Sequence, residues 1–549
     1  MKTIIYQLLP RLFGNMNETR RHNGSREVNG CGKFADVNTK ALKSIRDLGA
    51  THVWYTGVIR HATAERNTPS IVKGLAGSPY AITDYYDVDP DLAKDENKRM
   101  AEFEALVART HKAGLKVVID FVPNHVAREY KSLCKPAGVR DLGEDDNPEW
   151  AFSPLNNFYY IPGERFAPVD FEATGYEEFP AKATGNDCFS AHPSRNDWYE
   201  TVKLNYGVFY QGGGEKQFSP IPNTWVKMRD ILLFWAGKKV DAFRVDMAEM
   251  VPVEFWEWVI PKVKEEANVV FIAEVYNPAE YRNYIYKGHF DYLYDKVGLY
   301  DTVRAVMCGQ QPASQISNCW KSVGDIQSHM LNFLENHDEQ RIASDFFAKD
   351  ARLGIPGMIV SAAMNTNPVM IYCGQELGEP GMDEEGFSGR DGRTTIFDYW
   401  SIQRLRDWNN GGRFDGVRLD PSAQQLRRTY QLLLNAVRSE QVITQGQFYD
   451  LMYANAHNPR FDSNRQYAFL RKYQNEVLLV VANFDRAEQR VWVNIPVDAF
   501  KTLGFEDNRP ATVTDLLSGS TAISTLTDAY PYFVQLPAYS GKLLKFTFR

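Results

Sequence analysis

The chain is short of cysteine: six in 549 residues (Cys31, Cys134, Cys188, Cys308, Cys319 and Cys373), far apart and with no CxxC pair. That spacing excludes a disulfide framework and a cysteine zinc site and leaves scattered free thiols. No run of about 18 uninterrupted apolar residues occurs, so no membrane span is expected. There is no basic stripe, and the net charge of −7 argues against a polyanionic partner such as nucleic acid. The opening MKTIIYQLLPRLFG lacks an A-x-A-like cleavage site. Gln7, Pro10 and Arg11 interrupt its apolar run too early for a secretory leader, so a cytoplasmic location is expected. Internal repeats and low-complexity tracts are also missing.

What the chain has in quantity is aromatic surface: 29 Tyr, 32 Phe and 11 Trp, 13% in all. Such a share builds a large core, and it also suits clefts for sugars, whose flat apolar faces are ringed by hydroxyls. Short apolar runs at 3–9, 51–57, 116–122, 240–246, 268–275, 290–295, 330–336 and 368–374 alternate with helical patterns. NTKALKSIRDLGA, MAEFEALVARTHKAG and NTWVKMRDILLFWAGK carry apolar residues at i, i+3 and i+4. Eight strands, each followed by a helix, predict a parallel (β/α)8 TIM barrel. The stretch 126–215, rich in Pro, Gly, Asn, Asp and Phe, is too long for a loop and predicts an irregular small domain inserted after strand 3. From about 441 strand-like alternation separated by turn signals, without helices, predicts a C-terminal antiparallel β-sandwich. The expected division is therefore 1–125 with 216–440 for the barrel, 126–215 for the insert and 441–549 for the sandwich.

In a (β/α)8 barrel, functional residues stand at the C-terminal ends of the strands. Those ends carry Asp120, Asn124 and His125 after strand 3, Arg244 and Asp246 on strand 4, Glu274 on strand 5, and His337 and Asp338 on strand 7. Alternation puts Arg244 and Asp246 on one side of their strand, where the guanidinium would hold the carboxylate ionised. Each residue alone has a bland explanation: a buried ion pair for Asp246, a helix cap for Glu274, an N-cap turn for Asn336-His337-Asp338, a wall residue for His125. Independent caps and salt bridges have no reason to place three acids around one barrel mouth. Glycoside cleavage does: one carboxylate attacks the anomeric carbon, another protonates the leaving oxygen, and a third steadies the oxocarbenium-like transition state.

VVIDFVPNH (117–125), DAFRVD (241–246), FIAEV (271–275) and FLENHD (333–338) resemble, in order and spacing, the four motifs of the α-amylase family, glycoside hydrolase family 13. The opening IYQLLPRLFG, YAITDYYDVDP (80–90) and PVMIYCGQELG (368–378) fit as well, so the resemblance covers essentially the whole chain. It implies Asp246 as nucleophile, Glu274 as acid/base and Asp338 as transition-state stabiliser. It further implies that Arg244, His125 and His337 hold the sugar at the cleavage point, that Tyr80 stacks on it, and that Asp120 has a structural role near Arg244. The implied activity is retaining hydrolysis of mainly α-1,4 glucosidic bonds in starch-, glycogen- or maltodextrin-type substrates. A transglycosylase or a glucosidase with exo or α-1,6 preference is the runner-up, and an inactive carbohydrate-binding scaffold the distant third.

Two departures stand out. Typical secreted members carry Lys-His three and four residues after the nucleophile; here Glu249 and Met250 stand there, which puts the leaving-group side in question. VKLNYG (202–207) resembles the MPKLN variant of the neopullulanase-like intermediate group. Many family members bind a structural calcium through the asparagine matching Asn124 and an aspartate at the position of Lys203. Calcium needs six to eight oxygen ligands, and lysine offers none. No metal or cofactor is therefore expected, with the Lys203 ammonium taking the ion's place.

Overall fold

The computed structural model describes residues 1–548. Eight parallel strands close a barrel: β1 (Ile4–Leu8), β2 (His52–Tyr55), β3 (Lys116–Phe121), β4 (Ala242–Val245), β5 (Val270–Ala273), β6 (Tyr292–Tyr294), β7 (Met330–Phe333) and β8 (Val369–Tyr372). Each pairs with its neighbours in sequence, and β8 closes on β1 with Ile4 beside Val369. Nearly every strand residue is buried, because one face fills the barrel and the other is covered by helices. Phe243, Phe121 and Phe271 meet in the outer layer. The polar Arg244, between Asp120 on β3 and Ile272 on β5 in register, points inward.

The three helices read from periodicity form at Thr39–Leu48, Arg99–Lys112 and Asn223–Gly237. The first is capped by Asn38, whose side chain accepts from the amides of Lys40 and Ala41. After β5 the crossover is an irregular helical stretch, a 3-10 turn at Pro278–Glu280 running on to a π-helical turn at Asn283–Lys287.

Between β3 and the helix at 223, residues 128–200 are mostly turns and loops, with three short antiparallel ladders across the wider insert. His125–Ala127 pairs with Thr201–Lys203, Tyr160–Ile161 with Ala181–Lys182, and Val208–Phe209 with Glu215–Lys216. A small cluster of Ile71, Phe166, Ala181 and Ala191 joins this insert to the long segment between β2 and its helix.

The C-terminal part holds a six-stranded antiparallel sheet and a two-stranded one. Its strands are β9 (Gln447–Asp450), β10 (Gln466–Tyr473), β11 (Glu476–Asn483), β12 (Gln489–Val493), β13 (Ala511–Asp515), β14 (Thr521–Ser524), β15 (Tyr532–Leu536) and β16 (Ser540–Phe548). The large sheet runs β9-β10-β11-β16-β13-β14, and β12 pairs with β15. Contrary to expectation a helix, Val497–Leu503, intervenes between β12 and β13. It buries Ala499, Phe500 and Leu503, an i, i+4 pattern too short to stand out in sequence. The barrel helix Gly354–Ala363 packs on β11 and β16. At this junction the buried Arg471 donates to the carbonyls of Ala363, Ile443 and Gly446.

Candidate active site

The site is assembled around one guanidinium. Arg244 is 1% exposed; its Nε donates to the Tyr294 hydroxyl on β6 at 3.0 Å. Its Nη1 donates to Asp246 at 2.9 Å and lies 3.4 Å from Asp120. Nη2 stands 2.9 Å from a Glu274 oxygen, an ion-pair distance whose angle makes no hydrogen bond. The expectation that Arg244 would hold Asp246 ionised is not met by the guanidinium, which three carboxylates share. Burial, and after it the Glu274 carboxylate, push Asp246 well above the usual carboxylate range against the pull of Arg244. Burial and Glu274 likewise raise Asp338 to about 7, and burial raises Asp120 to about 6. The raised acids face one another across a pocket with a single guanidinium, so their titrations are linked.

Glu274 is held from two directions. The amide of Met247 donates to its Oε2 at 2.9 Å. Met247 reaches that position in a left-handed backbone conformation, φ 43°, immediately after Asp246, a local strain of the kind found where function demands it. The Tyr276 hydroxyl donates to Glu274 Oε1. Glu249 does not face the cavity. Its carboxylate accepts from the amides of Tyr276 and Asn277, each at 3.1 Å, and so ties the end of β4 to the loop after β5.

On the opposite wall, Asn336 accepts from the amides of Asp338 and Glu339, both at 2.9 Å. Asn336 is therefore the turn residue of its motif, which frees Asp338 for the cavity. His337 is 1% exposed. Gln7 donates to its Nδ1 at 2.8 Å, leaving the proton on Nε2, which faces the Tyr80 hydroxyl at 2.5 Å and Asp338 at 3.2 Å. Burial keeps this imidazole neutral, its pKa well below the ordinary value. Tyr80 stacks on it, ring centroids 5.3 Å apart, and its hydroxyl also lies 3.3 Å from Asp120, which Trp54 holds at 3.0 Å. Burial and the Lys203 charge lower His125 to about 3, so both histidines are neutral.

A cavity of about 380 Å³ opens over this arrangement. Tyr80, His125, Asp246, Glu274 and Asp338 line it. Arg244 and His337, expected to hold the sugar, lie behind the lining residues, Arg244 against Asp246 and Glu274 and His337 against Tyr80 and Asp338. Sequence reasoning missed Trp198, Glu200 and Thr201 from the insert, Lys73 and Ser78 from the β2 segment, Met247 and Tyr276, and Phe387, Ile396 and Phe397 from the loop after β8. Tyr276 alone carried a signal: it stands two residues after Glu274, just beyond the end of β5. A larger cavity of about 570 Å³, lined by His111, Asp241 and Val269, sits at the opposite, N-terminal ends of the strands, away from these acids.

Behind His125, the Lys203 ammonium lies between Asn124 Oδ1 at 2.8 Å and Asp187 at 2.6 Å. Asn124 also donates to the Gly185 carbonyl at 2.8 Å. Gly185 is pressed so closely on His125 that an added Cβ would lie 2.9 Å from the histidine's own Cβ. Asn124 and Asp187 thus surround a cation that the chain itself supplies, a set that does not fit a calcium ion.

Comparison with known proteins agrees with the architecture. Residues 7–408 match the family described as Alpha amylase, catalytic domain, and residues 461–543 match Maltogenic Amylase, C-terminal domain. The chain is 25% identical over 538 residues to an α-1,4-glucan:maltose-1-phosphate maltosyltransferase of Cereibacter sphaeroides, covering 94% of this chain and 63% of that protein. It is 23% identical over 435 residues to α-amylase 3 of Dictyoglomus thermophilum, covering 74% of each. It therefore spans less than two thirds of the maltosyltransferase. The crystal structure of a noncanonic maltogenic α-amylase, AmyB from Thermotoga neapolitana, superposes with a TM-score of 0.65 at 18% identity, covering 100% of this chain and 99% of that one.

Proposed function

The chain belongs to the α-amylase family, and from that premise we propose that it is a retaining glycoside hydrolase acting on α-1,4 bonds of starch-, glycogen- or maltodextrin-type chains. The observation that carries the reading is the convergence of Asp246, Glu274 and Asp338 on one cavity above a single shared guanidinium. Asp246, steadied by Arg244, attacks the anomeric carbon while Glu274 gives its proton to the departing oxygen. Glu274 then takes a proton from water, which releases the sugar from Asp246 with its α configuration. Asp338 faces the developing positive charge, and Tyr80 and His125 line the wall against which the sugar ring rests. The test is incubation with maltoheptaose. New reducing ends, with the α-anomer seen first by NMR, are expected; the β-anomer first, before mutarotation, contradicts the reading.

Similarity to a maltosyltransferase supports transfer to a second sugar as the alternative fate of the same intermediate. Products longer than the substrate, formed from maltotriose, mark that outcome. For the insert we read Lys203 as a replacement for calcium. The ammonium's contacts with Asn124 and Asp187 support this.

A further inference from the structure

Among the charged residues lining the catalytic cavity, Glu200 and Lys73 have no part in the chemistry above. Glu200 comes from the insert, next to Thr201 on the wall shared with Trp198 and His125. It is 8% exposed. Among the described residues no side chain donates a hydrogen bond to its carboxyl, and its own amide is the backbone group that faces it. Its main-chain carbonyl is used, accepting from the Arg128 amide at 3.2 Å, so the backbone is fixed while the side chain is left to the cavity. A buried carboxyl without side-chain donors is costly, and such groups persist where a ligand supplies the donors. Lys73 stands exposed at the rim of the same cavity, with no carboxylate within ion-pair distance among the described residues. Its ammonium is held over the Phe397 ring at 4.4 Å. The acceptor in the wall and the donor at the rim together match a neutral polyol, which offers both hydroxyl protons and lone pairs.

We propose that Glu200 is a substrate-binding residue whose carboxylate accepts hydrogen bonds from ring hydroxyls of the sugar chain in the cavity, with Lys73 donating to the same segment. The proposal rests on the glycoside reading. Glu200 determines which segment is held and leaves the bond-breaking step to Asp246 and Glu274. Its position on the insert makes that segment part of the specificity apparatus, contributed by a different stretch of chain from the catalytic acids.

The test compares wild type, Glu200→Gln, Glu200→Ala and Lys73→Met on maltotriose and on 4-nitrophenyl α-glucopyranoside, with melting temperatures. Loss of hydrogen bonds to a charged acceptor should lower kcat/KM on maltotriose by about ten- to a hundred-fold in Glu200→Ala, mostly through KM. Glu200→Gln, which still accepts, should fall between it and wild type, and Lys73→Met should raise KM by a smaller factor. The melting temperature of Glu200→Gln should match or exceed that of wild type, because a buried carboxyl with no side-chain donor is gone. Unchanged KM in both Glu200 variants, or equal loss of kcat on both substrates with a lower melting temperature, would overturn the proposal and make Glu200 structural. A wild-type chain inert toward all malto-oligosaccharides would instead remove the glycoside reading beneath it.

Discussion

Two charge clusters meet at neighbouring residues, Asn124 and His125, and they are built in opposite ways. Behind His125 the Lys203 ammonium meets one carboxylate, Asp187, and one amide oxygen, Asn124. The charges balance, and the result ties the insert to the end of β3. In front of His125, Asp120, Asp246 and Glu274 share a single cation with Asp338 across the cavity, and burial lifts three of these four acids above their ordinary range. The balanced cluster stabilises. The unbalanced one costs stability and holds carboxyls above their ordinary range, a perturbation that clusters at functional sites.

The comparison breaks most visibly at the nucleophile. Asp246→Asn should lower turnover by about 10⁴-fold or more on maltoheptaose while leaving the circular dichroism spectrum of the fold intact. Near-normal activity in the folded variant would dissociate the acid cluster from catalysis.

At the balanced cluster the expected effect is on stability. Lys203→Met leaves Asn124 Oδ1 buried without its donor and should cost about 1–3 kcal/mol, read by urea or thermal unfolding. Because Trp198, Glu200 and Thr201 hang on the same ladder, KM should rise more than kcat falls. No loss of stability would mean that the ammonium does not pin the insert.

A smaller effect of opposite sign is expected from Asp338→Asn. The folded protein holds the Asp338 proton up to about pH 7, above the unfolded value of about 3.9. The contribution of that group is therefore full below about pH 4 and is lost as pH rises through 7. The variant should melt higher than wild type at pH 8, and the gap should close as pH falls toward 4. A gap that widens on acidification would reverse the assignment. The smallest expected effect is that of EDTA: activity and melting temperature unchanged, with calcium-dependent stabilisation through Asn124 as the contrary result.

The barrel was legible because parallel strands buried on both faces read as continuous apolar runs, and all eight stand where those runs predict. The acids were legible because a strand end fixes the direction of its side chain: Arg244 and Asp246 follow from alternation, Glu274 from its place at the end of β5. The rest of the cavity wall was not. Trp198, Glu200, Lys73 and Phe397 sit on long irregular segments whose course depends on tertiary contacts such as the amide of Ala76 on the carbonyl of Phe397 at 3.0 Å. The left-handed turn at Met247 and the use of Glu249 as a loop tie were equally silent, since each depends on two chain segments meeting. Pair chemistry was legible at Lys203, where a charge that cannot ligate a metal implied a direct contact with Asn124. Its second partner, Asp187, was not foreseen.

The central claim, that Asp246 carries the sugar between two displacements, is tested most directly by trapping. Glu274→Gln incubated with α-glucosyl fluoride, whose leaving group needs little acid assistance, should accumulate a glucosyl ester, detected by mass spectrometry on the peptide containing Asp246. A glucosylated peptide elsewhere, or rapid turnover to β-glucose with no adduct, would contradict the account.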